Sequence, residues 1–394
     1  MATNDCHSPA FIVDILDLND AVSRFLIAVE GLNSKVLYAV KACSLASVVE
    51  QVGLGVNGFA TSSLFEARLA RGLAHGDQTV HFTSPGLSDM ATSEIATLCD
   101  YVAFNSVEQL RRAGPNFSLE RKEPFAVGLR VNPQMSFVED PKFDPCRPSS
   151  KLGVPIEFLA EQWKKDEAAV SNVSGLLIHS NSESEDWSQL EAVVGKCEGL
   201  IPDALHACEW INLGGGYIIE GTTDITPLRS VIQRLNERYG LTVFIEPGFG
   251  IVNNSCDIVT SVVDILRSDG QAVAVVDTSV NHVPEVFEYQ YSPAVAEASE
   301  HGEWTYVLAG CTCLPGDVFG EYRFDRELRV GERLTFKFVG AYSFVKAHMF
   351  NGINLPTVYV RLPSGELVME REFTYEDYAS RMGVKKDESL RERV

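Results

Sequence analysis

The chain has 394 residues, 45% of them hydrophobic and 22% charged, and 33 basic against 54 acidic side chains give a formal net charge of −21. This length is sufficient for two domains, because single cores rarely grow beyond about 250 to 300 residues before they divide. The negative charge disfavours nucleic-acid and anionic-membrane partners and suits a cationic small molecule.

The sequence lacks the patterns of a membrane protein, a secreted protein and a disulfide- or zinc-stabilised protein. No apolar run approaches the roughly 20 residues that a membrane span needs. Residues 1–8 lack the charged-then-apolar build of a signal peptide, so we expect a cytoplasmic protein without a membrane partner. The nine cysteines have an odd count and irregular spacing, which fit neither a disulfide framework nor a paired zinc site. We therefore expect reduced cysteines and no metal site.

Between residues 34 and 247, short apolar runs alternate with stretches of helical period, such as residues 62–71 and 107–112. Each connection is long enough for a crossover helix, which favours parallel strands. Eight strands with intervening helices in about 215 residues predict an α/β fold, a (β/α)8 TIM barrel. The predicted strands are "VLYAVKA", "GFATS", "TVHFTSP", "YVAFNS", "AVGLRVNP", "SGLLIHSNS", "EWINLGGG" and "TVFIEPG".

A second domain follows the barrel. Runs such as "DIVTSVVDILR", "QAVAVVDTS", "WTYVLAG" and "TVYVRLPSG" are rich in β formers and separated by turn residues, which predicts an antiparallel β domain. The first run, "AFIVDILDL", is predicted to join that sheet. We therefore place the barrel at residues 21–253 and the β domain at residues 1–20 and 254–394. The charged run 385–394 is predicted to be a frayed, solvated tail.

Polar residues stand where several barrel strands end, and chemistry in such a barrel belongs at the carboxyl ends of its strands. Each has a structural explanation when taken alone: a lysine that closes a strand is usually a surface lysine, and a glycine run is equally a tight turn. Their coincidence at one rim is what indicates a site. The residues are Lys41, Arg130, His179, Gly214, Gly215, Gly216 and Glu246.

These residue types together fit one cofactor, a phosphorylated pyridine aldehyde. Burial lowers the pKa of a lysine, so Lys41 would be a competent amine for bonding to an aldehyde. Backbone N–H groups of the glycine run would cradle a phosphate. Glu246 would keep a pyridine nitrogen protonated, and His179 would lie against the ring. We therefore expect pyridoxal 5'-phosphate.

Longer blocks of the sequence resemble a known family, the alanine racemase-like, fold type III pyridoxal-phosphate decarboxylases. The resemblance runs from "SPAFIVD" to "INLP", and its most specific marks point to the carboxynorspermidine/carboxyspermidine decarboxylase branch. It rests on "LYAVKAC", "GLRVNP", "INLGGGY", "FIEPG", "FDPCRPSSKLGV", "VVDTSVNHVPEVFEYQYSP", "TCLPGDVFGEYRFD", "GAYSF" and "MFNGINLP".

The resemblance implies a role for each matching position. Lys41 would carry the cofactor, Glu246 would pair with the pyridine nitrogen, and His179 would stack on the ring. Tyr342 would join Arg130 and the glycines in holding the cofactor. Cys313 would be the catalytic proton donor after carbon dioxide departs, supplied by a neighbouring subunit. The resemblance thus implies a homodimer with shared active sites at the subunit interface.

The substrate implied is a cationic amino acid or polyamine. The positions expected to bind it are Glu183, Asp277, His282, Glu285 and Asp317. Two departures from the family pattern border the predicted pocket: "HSNSES", residues 179–184 at the end of the sixth apolar run, and Tyr217 and Ile218 after the glycines. A third departure is Phe249, where many relatives carry a phosphate-binding arginine that the branch named above also lacks.

Two alternatives stay open from the sequence. One is a decarboxylase of another basic or specialised amino acid, such as ornithine, lysine or diaminopimelate. The other is a non-catalytic relative that binds cofactor or polyamine and regulates a partner, because fold alone does not fix function. The presence of both Lys41 and Cys313 favours an enzyme over the regulator.

Overall fold

The computed structural model describes residues 6–120, 126–165, 170 and 172–384. The chain divides into two compact units, one spanning Asp17–Val252 and the other joining the segment up to Leu16 with the chain from Asn253 onward. The predicted frayed tail, residues 385–394, lies outside the described residues. Within the described ranges, no helix has both the length and the apolar character that a membrane crossing requires.

The unit from Asp17 to Val252 is built on eight parallel strands. In chain order they follow strand β1 (Ala10–Asp14) and helix α1 (Ile15–Val29). Each strand pairs in parallel with the next, and the last pairs with the first, so the sheet closes. The predicted (β/α)8 barrel is therefore confirmed. Its strands are β2 (Ser34–Ala39), β3 (Gly58–Thr61), β4 (Thr79–Phe82), β5 (Tyr101–Phe104), β6 (Ala126–Asn132), β8 (Gly175–Ile178), β9 (Trp210–Asn212) and β10 (Thr242–Ile245), with a two-residue strand β7 (Val154–Pro155) paired to β6.

Helices occupy the connections between these strands. Local sequence sets their ends: the Ser63 side chain caps helix α3 by accepting the Glu66 N–H, and Gly240, with φ +72°, ends helix α9. The helices are α2 (Ala46–Gly53), α3 (Leu64–Leu73), α4 (Asp89–Leu98), α5 (Val107–Glu120), α6 (Ile156–Lys165), α7 (Ser188–Leu200), α8 (Pro202–Ala207), α9 (Thr226–Tyr239) and α10 (Phe249–Val252).

Large side chains fill the barrel interior. The packed cluster includes Leu37, Leu177, Trp210 and Phe244, which come from four different strands. His81 stacks on Tyr101 with ring centroids 4.2 Å apart, and burial lowers its pKa to about 3, so it is neutral at physiological pH. Because the barrel interior is packed rather than open, we expect a ligand of this barrel to bind at its rim.

The second unit is a β domain with a mixed sheet. Strand β1 pairs in parallel with β16 (Thr357–Arg361) and antiparallel with β11 (Cys256–Ser268), and β12 (Gln271–Val276) pairs in parallel with β13 (Trp304–Ala309). The predicted β domain is confirmed, but the expectation of a wholly antiparallel sheet is wrong at those two parallel pairs. The strands in spatial order are β14 (Val318–Phe324), β13 (Trp304–Ala309), β12 (Gln271–Val276), β11 (Cys256–Ser268), β1, β16 (Thr357–Arg361) and β17 (Leu367–Arg371), with β15 (Arg333–Phe336) also paired to β11. Its helices are α11 (Pro284–Tyr289) and α12 (Tyr375–Arg381).

Candidate active site

Lys41 lies in a short 3₁₀ turn, Val40–Ala42, that directly follows β2. The buried hydroxyl of Tyr38 donates to the carbonyl of Cys43 at 2.8 Å and so fixes the turn. Lys41 opens into a pocket at the barrel rim, where it is accessible to solvent while protein atoms of the barrel wall surround its amine and partly desolvate it. The pocket is lined by Ala39, Lys41, Ala60, Thr61, Ser62, Thr83, Arg130, Leu177, His179 and Glu246.

The electrostatics of the pocket favour a neutral amine. Partial desolvation by the barrel wall lowers the pKa of Lys41, and the nearby Arg130 guanidinium lowers it further, whereas Glu246 and Glu66 oppose the shift. A lysine with a lowered pKa holds more of its amine unprotonated near neutral pH, which is the form that attacks an aldehyde.

Glu246 follows β10 directly and is held on two sides. Its N–H donates to the carbonyl of Gly214 at 2.7 Å. Its carboxylate accepts a 2.6 Å hydrogen bond from the side-chain amide of Asn212. Burial raises the pKa of Glu246, while Lys41, Asn212 and Arg130 lower it. A further cation beside this carboxylate would favour its charged form, so the site is suited to a protonated ring nitrogen.

His179 follows β8 and accepts a backbone hydrogen bond. The N–H of Gly215 donates to its Nδ1 at 3.0 Å, so in the neutral ring the proton lies on Nε2. Burial lowers the pKa of His179 well below its usual value, and Lys41 and Arg130 lower it further. A neutral imidazole therefore faces the same pocket as the amine.

The glycine run is required by close packing at the rim. A Cβ on Gly215 would lie 2.2 Å from the carbonyl oxygen of Glu246, and one on Gly216 would lie 2.0 Å from that of Asn181. Gly214 and Gly216 also have left-handed φ values of +69° and +87°. The N–H groups of Gly214 and Gly215 already donate to Asn212 and His179. In the structure the glycine run therefore connects the ends of neighbouring barrel strands. Its predicted contact with a phosphate stays a prediction.

Arg130 lies inside β6, two residues before its end, rather than at the strand terminus that the sequence predicted. It is 8% exposed, and burial lowers its pKa while Glu246 raises it. The structure thus brings four of the predicted residues into one pocket, namely Lys41, Arg130, His179 and Glu246.

The two departures near the pocket form a single structural unit. The N–H of Ser184 donates to Gly216 at 3.0 Å, and the N–H of Ile218 donates back to Ser184 at 2.9 Å. Tyr217 is buried and stacks on Trp187 with ring centroids 4.5 Å apart. Glu183 precedes Ser184, with an exposed side chain and a left-handed φ of +53°. The altered residues therefore belong to a loop after His179 that backbone hydrogen bonds tie to the glycine run.

In the β domain, the predicted residues fall into two groups. The first surrounds Asp317, which is 3% exposed and accepts hydrogen bonds from Ser279, Val280 and Thr312. Cys313 is exposed, four residues before it. His282 is buried, and its Nδ1 lies 2.9 Å from the hydroxyl of Thr278. Burial lowers the pKa of His282 to about 4.

The second group is held by Lys346. Its ammonium lies 3.0 Å from Glu285 and 2.7 Å from Glu288, so Glu285 already has an internal cation as partner. The same ammonium lies 5.5 Å from the ring centre of Tyr342. Asp277 is likewise engaged within its own sheet, because its carboxylate accepts from Ser8, Thr260 and Ser261.

Sequence reasoning missed Asn212, Glu66 and Thr83. Asn212 is the last residue of an otherwise apolar strand, and that isolated polar position was the available signal. Glu66 is hidden in a helix pattern, yet its carboxylate accepts the N–H of Ser62 at 2.7 Å and acts on Lys41.

The sequence matches a family model over most of its length, and it has curated relatives and a relative of known structure. The model described as "Pyridoxal-dependent decarboxylase, C-terminal sheet domain" matches residues 11–340. A carboxynorspermidine/carboxyspermidine decarboxylase of Herminiimonas arsenicoxydans is 32% identical over 357 residues, covering 89% of this chain and 92% of that protein. A carboxyaminopropylagmatine decarboxylase of a Synechocystis species is 32% identical over 381 residues, covering 95% of each chain.

A solved structure shows the same architecture. The carboxynorspermidine decarboxylase of Campylobacter jejuni, crystallised with norspermidine, superposes with a TM-score of 0.86 at 29% identity, covering 95% of this chain and all of that one. The expected fold type, a barrel with an appended β domain, is therefore confirmed.

Proposed function

Because this chain belongs to the pyridoxal-dependent decarboxylases, we propose that it removes the α-carboxylate of a carboxylated polyamine, converting carboxynorspermidine or carboxyspermidine to norspermidine or spermidine. The observation that carries the proposal is the pocket at the barrel rim, where Lys41 with a lowered pKa lies with His179 and Glu246. These residues fit pyridoxal phosphate, the cofactor of the family: an amine for its aldehyde, a carboxylate for its ring nitrogen and an imidazole for its ring.

When bound, the cofactor supplies an electron sink for the pair of electrons that decarboxylation leaves behind. The protein's own groups maintain the conditions for this chemistry. Glu246, oriented by Asn212, would hold a proton on the ring nitrogen, and the Lys41 amine would bond to the aldehyde carbon. His179 offers a neutral ring whose orientation is set by the N–H of Gly215.

A proton donor must then act on one face of the substrate carbon. We assign this role to Cys313, contributed by the partner subunit of a homodimer. Its side chain is exposed in the single chain. A thiol carries a transferable proton, so it can serve as this donor.

Substrate choice is assigned to acidic groups near the pocket. A net charge of −21 favours polycationic substrates over neutral ones. Glu183 lies exposed on the loop after His179 and is the acidic group we assign to a substrate ammonium. Asp277, His282 and Glu285 stay candidates for the same task, with Glu285 engaged by Lys346 in the chain as it stands.

A second candidate substrate is carboxyaminopropylagmatine, because a decarboxylase of that compound is as similar to this chain as the first relative. It differs from the carboxylated polyamines by ending in a planar guanidinium instead of an ammonium. A site shaped for a compact ammonium and one shaped for a guanidinium fork differ in their hydrogen-bond geometry, so kinetics separates the two.

A substrate panel tests the proposal. Purified enzyme with added pyridoxal phosphate is supplied with carboxynorspermidine, carboxyspermidine, carboxyaminopropylagmatine, ornithine, lysine and diaminopimelate, and each product is identified by mass. We expect the highest kcat/KM for the first two compounds. A preference for carboxyaminopropylagmatine would show that the second candidate is the substrate. A preference for ornithine, lysine or diaminopimelate would refute both proposals.

A further inference from the structure

A single carboxylate organises the loop that carries Cys313. This cysteine loop comprises residues 310–317, between β13 and β14. The Asp317 carboxylate accepts the N–H of Val280 at 2.9 Å, the hydroxyl of Ser279 at 3.0 Å, and both the N–H, at 3.0 Å, and the hydroxyl of Thr312. It thereby joins Thr312, the residue before Cys313, to the segment after β12.

These bonds leave Asp317 little capacity for a substrate. A carboxylate has about four acceptor positions, and four donors already fill them. The residue is also 3% exposed. A substrate ammonium would have to displace internal donors that are themselves buried, which carries the cost of leaving them unpaired.

A second residue holds the loop from the other side. The N–H of Cys313 donates to Oδ1 of Asn351 at 2.8 Å. Asn351 has a left-handed backbone, with φ 56° and ψ 11°, a conformation that asparagine tolerates better than most residues. The N–H of Cys311 donates to the carbonyl of Thr278 at 3.1 Å. The backbone is therefore fixed both before and at Cys313.

We propose that Asp317 and Asn351 are positioning residues that fix the backbone of Cys313, and that Asp317 is not a ligand of the substrate ammonium. The catalytic consequence of this positioning rests on the proposed function, in which Cys313 is the proton donor. The order of the cysteine loop itself can be measured without turnover.

Gly310 offers an independent perturbation. A Cβ at this position would lie 2.1 Å from Oδ1 of Asp317. Gly310→Ala therefore pushes the carboxylate out of place while every hydrogen-bonding group is retained. Asp317→Asn keeps the shape but replaces one acceptor oxygen with a donor that faces donors.

The test is amide hydrogen exchange of the holoenzyme, followed on peptides that cover residues 311–317. We expect exchange about ten-fold faster or more in Asp317→Asn, Gly310→Ala and Asn351→Ala. Asn351→Asp retains an oxygen acceptor and should restore the wild-type rate. Glu297→Gln is the matched control, because Glu297 accepts two hydrogen bonds from Thr335 in the same β domain but does not touch the loop.

The second readout is the ratio of amine to aldehyde among the products of carboxynorspermidine. A proton delivered to the cofactor carbon instead of the substrate carbon would, after addition of water, release an aldehyde and leave the substrate's amino group on the cofactor as pyridoxamine phosphate. If Cys313 is no longer held in place, the share of aldehyde should rise in Asp317→Asn, Gly310→Ala and Asn351→Ala. It should stay unchanged in Glu297→Gln. A loss of global stability alone would not change the ratio of amine to aldehyde. Unchanged exchange in Asp317→Asn and Asn351→Ala would overturn the proposal, as would faster exchange with an unaltered ratio. If wild-type enzyme decarboxylates none of the polyamines, the proposed function fails. The exchange rates alone then show whether Asp317 and Asn351 fix the backbone of Cys313.

Discussion

Asn212 and Glu246 are joined side chain to side chain by a 2.6 Å hydrogen bond at the ends of neighbouring strands β9 and β10. The other end of the same amide accepts the N–H of Gly214 at 2.8 Å. Because Asn212 is 1% exposed and uses both ends of its amide, it fixes the carboxylate against the glycine run. Orientation of Glu246 therefore depends on a residue that performs no chemistry itself.

Asn212→Ala is expected to weaken pyridoxal phosphate binding. A hydrogen bond to a charged group contributes about 1.5–3 kcal/mol, so its loss should raise the Kd about ten-fold or more. Absorbance titration of the cofactor-free protein measures this. Asn105→Ala is the matched control, because Asn105 likewise uses both ends of its amide, towards Lys151 and Gly153, without touching Glu246. An equal loss of affinity in both variants would contradict the assignment.

The sequence was sufficient to predict the barrel because its signals are local. Each strand is a short apolar run, and each is separated from the next by a connection long enough for a helix. Polar residues such as Lys41 and Glu246 that interrupt these runs at their ends marked the rim. Arg130 was placed two residues too late on its strand, because a polar side chain inside a strand resembles a strand terminus in the sequence.

Long-range pairings were not predictable in the same way. Strand β1 pairs in parallel with β16, joining Ala10 to Thr357, and no local pattern indicates which distant strand a terminal strand will meet. The partnership of Glu285 with Lys346, 61 residues apart, has the same origin. Sequence spacing shows which groups are acidic, but not which of them an internal cation already neutralises.

The reactivity of Lys41 should depend on Glu66. The Glu66 carboxylate favours the ammonium form of Lys41, so Glu66→Gln should lower the pKa of the amine further. Glutamine retains an oxygen to accept the N–H of Ser62. The pH at which pyridoxal phosphate labels Lys41 half-maximally, after borohydride reduction and peptide mass analysis, should move downward.

Two controls accompany this measurement. Lys41→Ala should remove the label altogether, and persistence of a normal label would refute the anchoring role. Glu94→Gln alters an exposed carboxylate paired with Arg68 and should leave the half-maximal pH unchanged. An upward movement of that pH in Glu66→Gln would contradict the electrostatic argument.

His81 should make the barrel sensitive to acid. Its pKa falls from 6.5 to about 3 on folding because of burial, so between those values the unfolded chain binds a proton that the folded chain does not. The stabilisation is complete above pH 6.5 and is lost as the pH falls towards 3. From pH 7.5 to pH 5 the loss amounts to about 2 kcal/mol. Urea unfolding at both pH values should show a smaller loss in His81→Phe than in wild type, whereas His301→Phe, at an exposed position, should match wild type.

Subunit mixing tests whether two chains share each site. If Lys41 and Cys313 act from different subunits, combining Lys41→Ala with Cys313→Ala protein should restore activity that neither variant has alone. In a 1:1 mixture half of the dimers are hybrids with one intact site each, so about a quarter of the wild-type activity should return. Lys41→Ala combined with Glu246→Gln is the control: both changes lie in the barrel unit, every hybrid site then keeps one defect, and no activity should return. No recovery in the first mixture, after subunit exchange is verified by mass, would mean that each protomer supplies its own proton donor.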